Sequence, residues 1–190
     1  MVVVVAMIAL MSILVIPKVS SYFQISLNSA SREMATAVKE AYNSTILTGR
    51  VFRMVYDIKA NSYWVESGPS TALLDTAESK EKEERRKRFF KTEGKEEEHS
   101  AFSLDKSIMR KKKDLPRGVV YEDVVTQQNP DPITEGTAYT HFFPHGVTEQ
   151  TTIHLTDSSH HHATLVISAL VGRTDVYDRY VPQKELLEQK

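Results

Sequence analysis

The chain has 190 residues, 41% hydrophobic and 26% charged, which suits one folded domain with a core and excludes wholesale disorder. Its formal net charge of -1 gives no overall field for nucleic acid or for an acidic membrane surface. Cysteine is absent, so disulfides, thiolate catalysis and cysteine-based zinc sites are excluded.

Met1 to Ile16, MVVVVAMIALMSILVI, carries no charge and one hydroxyl, Ser12. As a helix this run would cover about 24 Å, against about 30 Å of bilayer hydrocarbon. A secretory signal core would have basic residues before it and a small-x-small cleavage site after it, and neither is present. A buried helix of a soluble protein would need a large body around all its sides. The run therefore reads as the later part of a membrane segment, with Val2, Val5, Ala9, Ile13 and Ile16 on the membrane and assembly helix and Pro17 at its end.

Helical patterning resumes directly after Pro17. Val19, Phe23, Leu27, Ala30, Met34, Ala37, Ala41 and Thr45 recur at spacings of three and four, which is one helix face. Arg32, Glu33, Lys39 and Glu40 fall largely off it. One helix is expected from Met1 to about Leu47, bent near Pro17, with 1–17 in the membrane and 18–48 amphipathic. Gly49 supplies its stop.

An apolar run ending in Ile16-Pro17-Lys18 and continuing as an amphipathic helix resembles type IV pilins and the pseudopilins of type II secretion. In that family a basic leader is cut before a Phe-Thr-Leu-Ile-Glu segment and the new N-terminus is methylated. Alignment on Ile16-Pro17-Lys18 implies that the leader, the cleavage site and the glutamate lie upstream of Met1. Five further residues would bring the run to about 31 Å. Lys18, Arg32 and Lys39 alone would favour the cytoplasm for the C-terminal side of the run, and a basic leader would reverse that balance.

Alternation over 51–58, a turn at Ala60-Asn61 and a returning strand over 62–66 predict a hairpin. Gly49-Arg50 followed by the Tyr63-Trp64-Val65-Glu66 strand resembles the first hairpin of GspH-type minor pseudopilins. Strands are also predicted over 119–126, 138–143, 151–155, 163–171 and 174–180, with a tight turn at Gly172-Arg173. The Phe143-Pro144-His145-Gly146 turn, the 163–168 strand and the Gly172-Arg173 turn resemble the family's C-terminal half. The resemblance covers 1–66 and 139–180, and it implies an α+β, pilin-like fold. The domain after the helix would span 49–182, followed by a tail over 183–190.

The region 75–114 departs from the family pattern and reads as a charged insertion. Glu78/Lys82, Glu81/Arg85, Glu83/Lys87 and Glu84/Arg88 place an acid four residues before a base, so a solvated helix and loop are expected in preference to a nucleic-acid site on Arg85 to Arg88 or Arg110 to Lys113. Such an insertion offers a lateral surface to a partner. His160-His161-His162 is the one run that suggests a ligand cluster. Only His160 and His162 would converge from an extended segment, and Asp157 or His154 would have to join them.

No phosphate loop, His-Glu-x-x-His, Gly-x-Ser-x-Gly or EF-hand pattern occurs, so no catalytic residue, metal or cofactor is expected. The resemblance implies a minor pseudopilin of the type II secretion pseudopilus, which assists export of folded proteins across the outer membrane. It would be anchored in the bacterial inner membrane with its domain in the periplasm. Its partners would be the major and minor pseudopilins, with no nucleic acid and no small-molecule substrate. The alternatives are a minor pilin of a type IV pilus and a membrane-tethered metal-binding protein or enzyme.

Overall fold

A computed structural model of the protein describes residues 2–69, 102–170 and 172–188, with side chains over 22–69, 102–170 and 172–186. Helix α1 (Val2–Thr48) runs unbroken through Pro17 and would be about 70 Å long. Gly49 ends it at φ +66°, and its N–H returns 3.0 Å to the Thr45 carbonyl. That left-handed conformation suits glycine and satisfies one of the helix's last carbonyls.

Leu27, Ala30, Ser31, Met34, Ala37, Val38, Ala41 and Thr45 form the buried stripe of α1. Six of these are positions that the three-four spacing predicts; Ser31 and Val38 broaden the stripe. Ser31 can be buried because its hydroxyl donates 2.9 Å to the Leu27 carbonyl, leaving no unpaired donor. The three alanines keep the helix backbone close to the strands beneath it.

Two antiparallel sheets receive that stripe. The first joins β1 (Val51–Asp57), β2 (Ser62–Gly68), β3 (Ser103–Leu104), β4 (Lys113–Asp114) and β6 (Thr137–Phe142) in the order β3-β2-β1-β6, with β4 also on β2. The second has the order β5-β7-β8-β9, from β5 (Val119–Thr126), β7 (Thr151–Asp157), β8 (His162–Ile167) and β9 (Thr174–Tyr177). A short helix α2 (Gln183–Glu188) comes after β9. Phe52, Met54, Tyr56 and Phe142 from the first sheet meet Tyr121, Ile153, Leu155 and Leu165 from the second beneath α1. Each such side chain, fully buried, contributes about 1.5–3 kcal/mol. Thr140 and Thr151 join the sheets through a 2.8 Å hydroxyl bond, and Thr140 also meets the Tyr56 hydroxyl at 3.0 Å.

The α+β class and the packing of the amphipathic half of the helix on antiparallel sheets are as expected from the sequence. The predicted hairpin forms, with Asn61 in its turn at φ +49°. Four details differ. The strand expected over 163–171 ends at Ile167, because the Ser168 N–H turns to the Arg173 carbonyl. The strand expected over 174–180 ends at Tyr177, because the chain then folds across the outer face of the second sheet. The 183–190 stretch is helical over 183–188 rather than a plain tail. The end of the charged region, 102–114, where a solvated helix and loop are expected, adds β3 and β4 to the edge of β2. The helix expected on Glu78 to Arg88 lies outside the described residues.

Candidate functional site

Val2, Val5, Ala9, Ile13, Ile16 and Pro17 all belong to α1, and their side chains lie outside the described residues. Among the described residues no helix is long and apolar enough to cross a membrane. Gly49 and Arg50 form the exposed exit from the helix. Tyr63 lies buried on the core face of β2, while Trp64 and Glu66 belong to the opposite face.

Gly146 and Gly172, distant in sequence, meet under one helix side chain. A Cβ on Gly172 would stand 2.4 Å from Tyr42 Cδ2, and one on Gly146 would stand 3.3 Å from the Tyr42 hydroxyl. The Tyr42 O–H donates at 3.5 Å to the Gly146 carbonyl. Both glycines have positive φ, so backbone conformation and close approach require the same residue. Near the other end of the buried stripe, a Cβ on Gly118 would stand 2.6 Å from Phe23 Cε1. Two aromatic rings thus seat α1 on glycine backbone. Arg173 stays exposed and pairs with Asp175 at 2.7 Å.

The outer face of the first sheet holds a buried ionic cluster. Glu66 accepts from Arg53 Nε at 2.8 Å and from Trp64 Nε1 at 2.7 Å, and both donors are buried. The Arg53 guanidinium stacks 4.2 Å from the Phe102 ring centre and 4.6 Å from that of Tyr139. Lys112 Nζ lies 3.8 Å over the Trp64 ring. Beside them the buried His141 Nδ1 meets Glu149 Oε2 at 2.7 Å, and Glu149 also accepts the His141 backbone N–H at 3.0 Å. Lys113 and Glu33 form an ion pair from β4 to α1.

The histidine run is dispersed among separate carboxylates. His161 Nδ1 contacts Asp157 Oδ2 at 2.8 Å and His162 Nδ1 contacts Glu122 Oε2 at 2.9 Å, while His160 takes the turn at φ +60°. His154 belongs with Asp123, at 2.7 Å. Among the described residues no three His, Asp or Glu side chains are placed to hold a metal ion. Sequence reasoning missed Tyr42, Arg53 and the Asp123–His154 pair. An arginine inside an apolar strand opposite a glutamate was the signal available for Arg53; the others depend on contacts far apart in the chain.

Apolar side chains remain on the surface at both ends of the 22–48 part of α1. Tyr22 and Ile25 lie at one end, and Ile46 and Leu47 at the other, where Leu47 is 83% exposed. Val147 and the 79% exposed Leu170 lie on the loops next to Gly146 and Gly172.

No protein-family model matches the chain and no curated protein matches it. Among solved structures, the chain is similar to the minor pseudopilin EpsH from the type 2 secretion system of Vibrio cholerae, with a TM-score of 0.46 and 8% identity over 80% of this chain and 97% of that one.

Proposed function

We propose that this chain is a minor pseudopilin of the GspH type, a structural subunit of a type II secretion filament that works by packing and not by bond chemistry. The observation that carries the reading is the continuity of α1. A single helix begins in an uncharged apolar run and ends as the buried spine of a two-sheet domain. The rings of Tyr42 and Phe23, seated on glycines, fix domain and helix together, so a force or displacement on one part moves the other.

In this reading the apolar run keeps the subunit in the bacterial inner membrane, with the domain in the periplasm. On assembly the run passes from lipid into a bundle of like helices. Both surroundings are apolar, so shape and packing decide the balance. The surface side chains Tyr22, Ile25, Ile46 and Leu47 supply lateral contacts with other pseudopilins.

Deletion and complementation test this directly. Loss of the gene stops release of folded proteins into the medium, and the intact chain restores it, with surface piliation unchanged. Lost pili with normal secretion would make the chain a minor pilin instead; no effect on either would refute both.

A further inference from the structure

The segment after β9 turns back over the outer face of the second sheet, where His154, Thr164 and a 3.4 Å bond from the Tyr180 hydroxyl to Asp123 Oδ2 hold it. A β-bulge makes the arrangement. Tyr121 pairs with Leu155 and Asp123 pairs with His154, so Glu122 is the extra residue. Strict alternation would put Asp123 on the core face with Tyr121; the bulge turns it outward beside His154. His154 Nδ1 then lies 2.7 Å from Asp123 Oδ1, and Nε2 lies 3.0 Å from the Val181 carbonyl oxygen. The Tyr180 ring stacks on the imidazole with centres 4.1 Å apart. Thr164 adds two bonds, donating 2.7 Å to the Arg179 carbonyl and accepting 3.0 Å from the Val181 N–H. Val181 is buried as a result.

A carboxylate and a carbonyl are both acceptors, so His154 satisfies both only when each ring nitrogen carries a proton. We infer that residues 179–185 form a strap clamped to the second sheet by the His154 imidazolium and loosened when that ring loses a proton. The remaining proton stays on Nδ1, where the charged Asp123 is the stronger acceptor. The Val181 carbonyl then faces a lone pair, and Tyr180 no longer stacks on a cation.

The other charged or titratable groups facing this site are Glu122 and Asp123 on β5, His162 on β8, and Tyr180 within the strap. His162 meets Glu122 and lies 6.2 Å from the Tyr180 ring in edge contact. Arg179 is bound to Glu185 within the strap itself, so that pair travels with it. Burial works against charge on His154, but the Asp123 hydrogen bond and the Val181 carbonyl together raise its pKa above the ordinary value. The loosening therefore falls at a higher pH than the titration of an unperturbed histidine.

Amide exchange on the full chain in detergent, followed by NMR from about pH 5 to about pH 9, tests the strap. After correction for intrinsic rates, protection of the Val181 amide falls at least tenfold as His154 titrates, while Leu155 and Leu165 keep theirs. His162→Gln leaves that fall where it is. Asp123→Asn, if folded by circular dichroism, moves it about one pH unit lower. Val181 protection that stays flat through the His154 titration, or that tracks His162, overturns the inference. If Asp123→Asn does not fold, wild type and His162→Gln decide the matter alone.

Discussion

The ring of Tyr42 occupies the space that any side chain on Gly172 would need, with Cδ2 and Cγ 2.4 and 2.5 Å from the position of a Cβ. Gly172 also has φ +58°, so an alanine there meets both a collision and an unfavourable backbone. Gly172→Ala should destabilise the domain by about 2–4 kcal/mol. Adding Tyr42→Ala removes the two closest approaches and leaves Tyr42 Cβ at 3.0 Å, while the backbone cost remains. The double variant should therefore be more stable than the sum of the two single losses predicts, by about 1 kcal/mol or more. Urea unfolding followed by circular dichroism measures all three.

Glu66 is the shared acceptor of Arg53 and Trp64 on the outer face of the first sheet. Glu66→Ala takes a carboxylate from Arg53, a residue that is only 5% exposed, and it should cost about 3–5 kcal/mol. Trp64 is the single tryptophan, so its emission reports the same change in one titration. The emission maximum of the folded Glu66→Ala protein should shift as the indole N–H loses its charged partner. An unchanged spectrum and midpoint would mean that the cluster is not held through Glu66.

Asp157 contributes to the acid side of stability. Burial raises its pKa, but donors from the His161 backbone, the His161 ring and the Ser159 backbone outweigh burial and bring it below the ordinary 3.8. A carboxyl whose folded value lies below its unfolded one adds stability above the unfolded value, and that stability is lost as pH falls through the folded value. Stability should thus decline as the solution is acidified below about pH 4. Asp157→Asn should flatten part of that limb, and at neutral pH it should cost about 1–3 kcal/mol. Unfolding midpoints at several pH values for both proteins check the sign.

Much of this architecture is legible in local pattern. Leu27, Ala30, Met34, Ala37, Ala41 and Thr45 can be placed on one face by spacing alone, and alternation places the hairpin of β1 and β2. Apolar content fails at the end of β8. Leu170 looks like a continuation of the strand yet lies in the turn and is exposed, because the Ser168 N–H finds its partner in Arg173. The strap fails for the opposite reason. Asp178 to Glu185 is polar and near neutral, and its order comes from His154 and Thr164, reached only through the fold. Polar β3 and β4 escape sequence reading because backbone pairing with β2 needs no apolar alternation. Asp123 illustrates the limit most sharply: its outward direction depends on a bulge that no local pattern announces.

The reading as a filament subunit turns on the apolar run carrying the domain out of lipid and into a polymer. Ala9→Lys puts a charge into that run, remote from the packed stripe that begins near Phe23. A charge at the centre of a membrane helix costs about 2.5–3.5 kcal/mol on insertion scales, and within a bundle of apolar helices it would also lack a partner. The decisive measurement is the amount of this chain recovered with purified secretion filaments, wild type against Ala9→Lys, with the unfolding midpoint of the domain as control. We expect recovery to fall at least tenfold and secretion to fail while the midpoint stays the same. Equal recovery and normal secretion from the lysine variant would contradict a filament role for this helix.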